Sequence, residues 1–327
     1  MNRREVLAAV LGAAGAPIFP DMLRAQPPLI KVGYLDSTSP TAAASHTQAL
    51  RNGLKLAGFN ENKDIQIIYR WAQGKFEYLP ALATQLVDER VSVMVAASLP
   101  AALAAKKAAP NTPIVFVISA DPVEFGLVSS MARPEGNITG VAQRLGELGR
   151  KRMELLHATK TDMRRVTVLA NPNNPHGVPH SRTVQSAADE LGVETLFLPV
   201  TNESDMISAC AIAGQMKSDA MLIIDDPIFG LLKQKLVDST IALHIRTMFF
   251  RKDFVEAGGL MSYGPNFSSL YERVGALAGR MLKDQRPSDV PVEEPDIFEL
   301  VLNEKTAASI GLKFPANVLI RADLVIS

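Results

Sequence analysis

The chain has 327 residues, of which 47% are hydrophobic, and its 34 lysines and arginines balance its 34 aspartates and glutamates. This amount of apolar sequence is more than one small core needs and favours two lobes. The balanced charge, with no basic run and no series of stacking aromatic residues, argues against a nucleic-acid partner.

The chain begins with the features of a signal peptide. Arg3 and Arg4 precede an apolar stretch at residues 6–18, and Ala25 supplies a small residue for cleavage. The stretch is too short to remain as a membrane span. We therefore expect residues 1–25 to be removed and the mature protein to be periplasmic and not membrane-embedded. The arginine pair permits twin-arginine export, but the sequence does not separate that route from the general secretory one.

Strand and helix patterns alternate through the first half of the chain. Apolar runs predict strands at 30–35, 65–69, 91–97, 113–118 and 138–141. A stripe containing Leu50 and Leu54 predicts a helix that ends at Gly58, and an alanine-rich helix is predicted at 100–109. Near-continuous apolar strands between helices indicate a parallel sheet that is covered on both faces.

A second series of the same kind follows. Strands are predicted at 166–170, 195–200, 220–224, 248–250 and 260–263, and helices near 148–157, around Cys210, over 229–242 and over 270–281. Two such series predict an α/β fold of two doubly wound parallel-sheet lobes. Cys210 is the only cysteine, which excludes a disulfide within the chain and a lipid anchor at a signal-end cysteine.

Signatures of catalysis and of cofactor binding are missing from the sequence. It contains no G-x-G-x-x-G after a strand, no phosphate-binding loop, no G-x-S-x-G and no H-E-x-x-H. His176 and His180 have helical spacing, but no acid is spaced as a third metal ligand. We therefore expect a binding protein without cofactor or metal and not an enzyme.

Polar residues follow the predicted strands at the edge where doubly wound sheets bind their ligands. The candidate ligand-binding residues are Ser37, Thr38, Ser98, Asp121, Asn173, Asn174, Asp225 and Tyr263. They come from both halves of the chain, which places them on two sides of a predicted cleft.

Each candidate also has a structural alternative. The helix start after Ser98 suits a ligand carboxylate, but Ser98 equally suits a turn of its own backbone. Asp121 is a partner for a ligand ammonium or a helix cap. Of Asp225 and Asp226, one is predicted to face the cleft and the other to cap the helix at Pro227. Asn173 and Asn174 are ligand contacts or turn formers, and Tyr263 contacts a ligand or packs at a hinge.

Several short motifs in a fixed order resemble one family. They are EAGGLMSYGP at 256–265, FELVLN at 298–303, KTA at 305–307, IGL at 310–312, RAD at 321–323, YRWA at 69–72, PIVFV at 113–117, DPV at 121–123 and GNITG at 136–140. Together they resemble the ABC transporter substrate-binding family that includes tryptophan- and tyrosine-type binding proteins, over essentially the whole mature chain.

The resemblance implies a type I periplasmic-binding fold whose two lobes close on a ligand at a hinge. It suggests lobe 1 at 27–142 plus 264–290 and lobe 2 at 143–263 plus 291–327. The implied function is capture of a small ligand, an amino acid or a carboxylate-like compound, by a monomer that delivers it to an ABC transporter permease.

Two alternatives stay open: an exported ligand sensor for a membrane kinase or chemoreceptor, and a periplasmic enzyme. Neighbouring permease or kinase genes would separate import from sensing.

Overall fold

A computed structural model describes residues 28–143 and 146–327. The signal peptide predicted over residues 1–25 lies outside these ranges. Within them, no helix has the length and apolar character that crossing a membrane requires.

Lobe 1 is built on a five-stranded parallel sheet. Its strands are β1 (Ile30–Asp36), β2 (Ile65–Trp71), β3 (Val93–Ala97), β4 (Ile114–Ile118) and β5 (Ile138–Ala142), and its first three helices are α1 (Ala44–Leu56), α2 (Leu79–Asp88) and α3 (Leu99–Ala108). The spatial order is β2-β1-β3-β4-β5. Strands β3, β4 and β5 are buried along their whole length, because helices cover both faces of the sheet.

Lobe 2 is built on a seven-stranded sheet in the order β12-β11-β10-β9-β8-β6-β7. Its strands are β6 (Arg165–Ala170), β7 (Glu194–Pro199), β8 (Ala220–Ile223), β9 (Arg246–Phe249), β10 (Met261–Pro265), β11 (Phe298–Asn303) and β12 (Leu324–Ile326). The remaining helices are α4 (Gly146–His157), α5 (Gly177–Glu190), α6 (Glu203–Gln215), α7 (Pro227–Leu231), α8 (Lys233–Ala242), α9 (Lys252–Glu256), α10 (Phe267–Met281), α11 (Glu304–Ser309) and α12 (Ala316–Leu319). Strand β11 runs antiparallel to β10.

Helix α10 follows a strand of lobe 2 but packs into the core of lobe 1. Its apolar residues share one cluster with strands β1, β3 and β4. It approaches α1 closely, because a Cβ added at Gly53 would meet the carbonyl oxygen of Glu272 and one added at Gly275 would meet that of Leu50. Glycine at both positions is what lets the two helix backbones come together.

The chain passes between the lobes at three places. It leaves lobe 1 after β5, returns between β10 and α10, and enters lobe 2 again before β11. On the lobe 1 side of the third crossing, Glu293 donates its N–H to Gly140 O at 2.9 Å and accepts from Ala142 N at 2.9 Å. These crossings join the two lobes as a hinge does.

The predicted α/β fold of two parallel-sheet lobes is confirmed, with the antiparallel β11 as an exception inside lobe 2. The single helix predicted over 229–242 is wrong, because the backbone leaves helical geometry at Leu232 (φ −96°, ψ 9°) and separates α7 from α8. Sequence patterns did not identify α9, β11 or the short elements after it. The domain boundaries stay a prediction.

Candidate functional site

A cavity of about 60 Å³ lies between the lobes, at the ends of their strands. Lobe 1 contributes Asp36, Thr38, Ser98, Ser119 and Gln143, lobe 2 contributes Asn174, His176, Asp225, Asp226 and Arg251, and α1 and α10 contribute His46, Phe267 and Tyr271. Because both sheets direct their strand ends to it, this cavity is the site that a two-lobed α/β fold makes available to a ligand.

On the lobe 1 wall, Asp36 is held by its own neighbours. Its carboxylate accepts from Tyr34 Oη at 2.7 Å, from Thr38 N at 2.7 Å and from Thr38 Oγ1 at 2.8 Å. Burial raises the pKa of Asp36, while these hydrogen bonds act in the opposite direction. The oxygens of Asp36 are therefore engaged within the protein, and their role is to fix the turn after β1.

Ser37 and Ser98 form the next contact of this wall. Asp36 pairs with Ala97 across β1 and β3, which brings Ser37 Oγ to 2.6 Å from Ser98 Oγ. Ser98 also accepts from Ala101 N at 3.3 Å and so caps α3. Its φ of 116° is one that L residues rarely adopt, and such strain is found preferentially at functional sites.

On the lobe 2 wall, Asp226 is fully engaged in structure. It accepts from Ile228 N at 2.8 Å as the cap of α7. It also accepts from Asn171 Nδ2 at 3.0 Å and from Asn174 Nδ2 at 2.7 Å. Burial raises the pKa of Asp226. One of the two adjacent acids was predicted to cap the helix, and Asp226 is the one that does so.

Asp225 differs from its neighbour. It lines the cavity and is 7% exposed, yet no side chain or backbone N–H of the described residues donates to its carboxylate. Only its backbone oxygen is engaged, by His176 Nε2 at 2.8 Å. The charge of Asp225 acts to raise the pKa of the buried Arg152 and Arg251. Its carboxylate therefore has opposite charges nearby but no hydrogen-bond donor, and that place is open to a ligand.

Arg251 is the cationic side chain of the cavity. It donates from Nε to Asp253 Oδ1 at 2.8 Å and from Nη2 to Asp253 Oδ2 at 3.1 Å. Burial opposes its charge, but the charge and hydrogen bonds of Asp253 hold the pKa of Arg251 above its ordinary value. Its guanidinium also lies 5.1 Å from the ring centroid of Phe267. Arg251 therefore connects lobe 2 with α10 across the cleft.

Aromatic rings stack behind this cation. The His46 ring lies 4.4 Å from that of Tyr271 at an interplanar angle of 6°, and 5.6 Å from that of Phe267. Burial, and then the charge of Arg251, lower the pKa of His46 to about 3. His46 is therefore neutral at physiological pH and forms a rigid side wall of the cavity.

Four of the predicted site residues, Thr38, Ser98, Asn174 and Asp225, line the cavity together. Ser37 lies directly behind Ser98. The structure does not bring the other three to the cavity. Asp121 caps a turn by accepting from Val123 N at 2.8 Å. Asn173 is exposed next to Asn174.

Tyr263 lies at the hinge. Its ring is 6.3 Å from that of Phe298, and its carbonyl accepts from Arg152 Nε at 2.7 Å. Arg152 is fully buried, and burial lowers the pKa of this guanidinium to about 10. Tyr263 therefore packs at the hinge, which was the structural alternative to ligand contact.

Sequence reasoning did not assign His46, Gln143, Arg251, Phe267 or Tyr271 to the site, and it considered His176 only as a metal ligand. Arg251 could have been found, because it follows strand β9 as Asp225 follows β8. His46, Phe267 and Tyr271 lie on helices, where the rule of polar residues at strand ends does not apply.

A wider groove of about 340 Å³ lies on lobe 2 alone, between α5 and β7. Its walls are mostly apolar, with Val178, Phe197 and Pro199 among them. Neither a lobe 1 residue nor Asp225 lines it, so the smaller cavity is the better candidate. In residues 28–143 and 146–327, no three His, Cys, Asp or Glu side chains are grouped to hold a metal ion.

Comparison with known proteins agrees with this architecture. The family model described as "ABC transporter substrate binding protein" matches residues 31–326. A tyrosine-binding protein of Clostridioides difficile (strain R20291) is 24% identical over 262 residues, which is 78% of this chain and 73% of the relative.

Solved structures share the fold. A conserved domain protein from Vibrio cholerae has a TM-score of 0.84 at 24% identity, and the match covers 91% of this chain and 100% of that one. The ABC domain in complex with L-Trp from Streptococcus pneumonia has a TM-score of 0.83 at 23% identity, with the same coverage.

Proposed function

Because this chain belongs to the family of ABC transporter substrate-binding proteins, we propose that it binds an amino acid between its lobes and delivers it to the permease of an importer. The proposal includes removal of residues 1–25 and a periplasmic location for the mature chain. It assigns binding, and no catalytic step, to the cleft.

The observation that carries the proposal is the unpartnered carboxylate of Asp225 in a cavity that both lobes line. A closed cleft excludes most water, so a carboxylate without a hydrogen-bond donor gains from a ligand that supplies one. The ammonium group of an amino acid supplies such donors. The tyrosine-binding relative and the L-Trp complex support the same ligand class.

The opposite wall suits the ligand carboxylate. Ser98 and Ser119 line the cavity with hydroxyl groups at the ends of β3 and β4. The amide of Leu99 lies in the first turn of α3, where N–H groups lack helical partners and favour anions. Arg251 adds a positive charge at the same cavity, from the lobe 2 side that also carries Asp225. The cavity therefore contains groups that suit both ends of a zwitterion.

The proposal also requires the lobes to move. At about 60 Å³ the cavity is well below the roughly 300 Å³ of ordinary ligand pockets. Elsewhere between the lobes, Gly74 of lobe 1 lies so close to Leu231 of lobe 2 that an added Cβ would be 2.9 Å from Leu231 Cδ1. Ligand entry therefore needs opening at the three hinge crossings, and binding shifts the population toward closure.

The test combines export and binding. Intact mass of the periplasmic protein should show loss of about the first 25 residues, as expected for a cleaved signal peptide. Thermal-shift screening of the twenty standard amino acids, organic acids, sugars and nucleosides, followed by calorimetry, should give an amino acid as the tightest hit. Tight binding of a neutral sugar or nucleoside, unchanged in Asp225→Ala, would contradict the ligand class.

A further inference from the structure

The sheet of lobe 2 ends at strand β7, and the outer edge of that strand is uncovered. Among the described residues, β6 is the strand that pairs with β7, and no strand pairs with it on the other side. Residues 195–200 have the sequence TLFLPV, which contains no charge. Apolar edges of this kind associate with other chains unless they are charged, covered or very short.

The other three sheet edges are protected in these ways. Strand β2 carries a charge at Arg70, whose guanidinium donates to Gln85 Oε1 at 2.9 Å. Strand β5 is covered by the segment of Glu293, whose backbone bonds to Gly140 and Ala142. Strand β12 has only three residues. The edge of β7 is therefore the one that the chain itself leaves unprotected.

The outward backbone groups of β7 follow from the bonds that the strand makes inward. Glu194 N donates to Arg164 O, directly before β6, at 2.8 Å. Because the backbone groups of successive strand residues point in opposite directions, the N–H groups of Thr195 and Phe197 point away from β6. Pro199 has no N–H. The free edge thus presents two backbone donors without a partner in the sheet.

The surfaces on both sides of this edge are apolar. On the α5 side lies the groove of about 340 Å³, with Phe197 in its wall. Val178, at the start of α5, lines the same groove and is 52% exposed. On the α6 side, Ile212 and Met216 are 38% and 42% exposed. A partner strand at β7 would bury apolar surface on both faces of the sheet.

The position of α8 shows which side of α6 faces the edge. Glu203 of α6 accepts from Lys235 Nζ of α8 at 2.6 Å, and a Cβ added at Gly214 would be 3.0 Å from Leu243 Cδ2. Helix α8 lies toward the centre of the sheet, between β8 and β9 in the chain. At 3.6 residues per turn, residues 212 and 216 are on the opposite side of α6 from residues 203 and 214, and so they face the β7 edge.

The charges along α5 favour a second copy of this chain as the partner. Val178, Arg182, Gln185 and Asp189 lie in one row of the helix, and the first three line the groove. No carboxylate of the described residues pairs with Arg182. The row is basic near one end and acidic at the other, so a copy turned end for end is complementary to it. Thr195 Oγ1 donates to Gln185 Oε1 at 2.7 Å, which places Thr195 level with the midpoint between the two charges.

We propose that two copies of this chain associate through β7, whose strands run antiparallel across a twofold axis beside Thr195 and continue one sheet. The outward N–H groups of Thr195 and Phe197 then gain carbonyl acceptors, and Arg182 of each copy meets Asp189 of the other. The same patch serves on both copies, as twofold symmetry requires. This dimer goes beyond the proposed function and departs from the monomer that the family resemblance implied.

Sedimentation equilibrium of the mature wild-type chain tests the proposal, with a concentration-dependent dimer as the expected result. Ile212→Lys places a charge in each half of the apolar interface and should weaken association by about tenfold or more. The matched control is Ile207→Lys. Ile207 is 54% exposed on the α8 side of the same helix, and this variant should dimerise as wild type does.

Hydrogen exchange locates the contact. The amides of residues 194–200 should exchange more slowly as the wild-type concentration rises, because the outward N–H groups gain acceptors. In Ile212→Lys this protection should be lost. A wild-type chain that stays monomeric up to about 200 µM overturns the proposal, whether the edge then stays free or the permease covers it. A dimer that Ile212→Lys leaves intact, that Ile207→Lys weakens equally, or that leaves exchange at 194–200 unchanged uses another surface and also overturns it.

Discussion

The two walls of the cleft are built alike but use their polar groups differently. In each lobe a buried strand ends in a turn with a carboxylate. On the lobe 1 side, Tyr34 and Thr38 already bind the carboxylate of Asp36. On the lobe 2 side, Asp226 is bound in the same manner, but Asp225 is not. A polar residue at the end of a strand is therefore not by itself evidence of a ligand contact. The better indicator is a buried polar atom that has no hydrogen-bond partner within the protein.

The largest expected effect is on ligand affinity at Asp225. In Asp225→Ala, affinity for an amino acid found by screening should fall by about 2–5 kcal/mol, as when one partner of a buried charge pair is removed. Calorimetry measures this loss, with Asn173→Ala as the control. Wild-type affinity in Asp225→Ala would contradict the difference proposed between the two walls.

Asp226→Ala should act on stability. It leaves three buried donors, at Asn171, Asn174 and Ile228, without their carboxylate. The expected decrease in the free energy of unfolding is about 3 kcal/mol, measured by urea titration without ligand. Asp225→Ala should lower the unfolding free energy less than this. If the two substitutions cost the same, the structural role given to Asp226 is wrong.

The third prediction concerns pH and the side wall at His46. The folded-state pKa of His46 is about 3, whereas the unfolded chain takes up that proton below about pH 6.5. Stability is therefore lost as the pH falls from 6.5, by about 2 kcal/mol at pH 5. His46→Gln should remove this part of the pH dependence.

The measurement is the difference between wild type and His46→Gln in urea titrations at pH 7 and pH 5. The raised pKa values of Asp36 and Asp226 make the folded state gain stability on acidification. That gain is present in both proteins and cancels in the difference. Identical pH slopes for wild type and His46→Gln would exclude a buried neutral His46.

The smallest effect is expected at Ser37. Ser37→Ala removes the 2.6 Å hydrogen bond to Ser98 Oγ but leaves the hydroxyl of Ser98 in the cavity. The free energy of unfolding should fall by about 1 kcal/mol, and ligand affinity should change little. Thermal unfolding and calorimetry measure the two quantities. A large loss of affinity with unchanged stability would place Ser37 among the ligand contacts.

Much of the fold could be predicted because apolar strands and helix-ending glycines leave local signals. Gly58, with a φ of 97°, ends α1 as predicted. The antiparallel β11 is different, since its place beside β10 depends on a long-range return of the chain. Local patterns do not contain that information.

The site was predictable where it follows from strand ends, as for Asp225 and Ser98. What the sequence could not supply is which polar atoms find partners within the protein. Asp225 and Asp226 are identical and adjacent, and their difference is set by Asn171 and Asn174, which lie on another strand end. Nor could strand-end reasoning find Tyr271, which reaches the cavity only because α10 packs against α1.

The close contact of α1 with α10 also has a consequence for synthesis. Helix α10 completes the core of lobe 1, but the ribosome makes it only after β6 to β10 of lobe 2. Until then, the surface of α1 that carries Gly53 lacks its partner and stays exposed. Lobe 1 therefore cannot complete its core until α10 has been made, although most of its strands and helices precede lobe 2 in the chain.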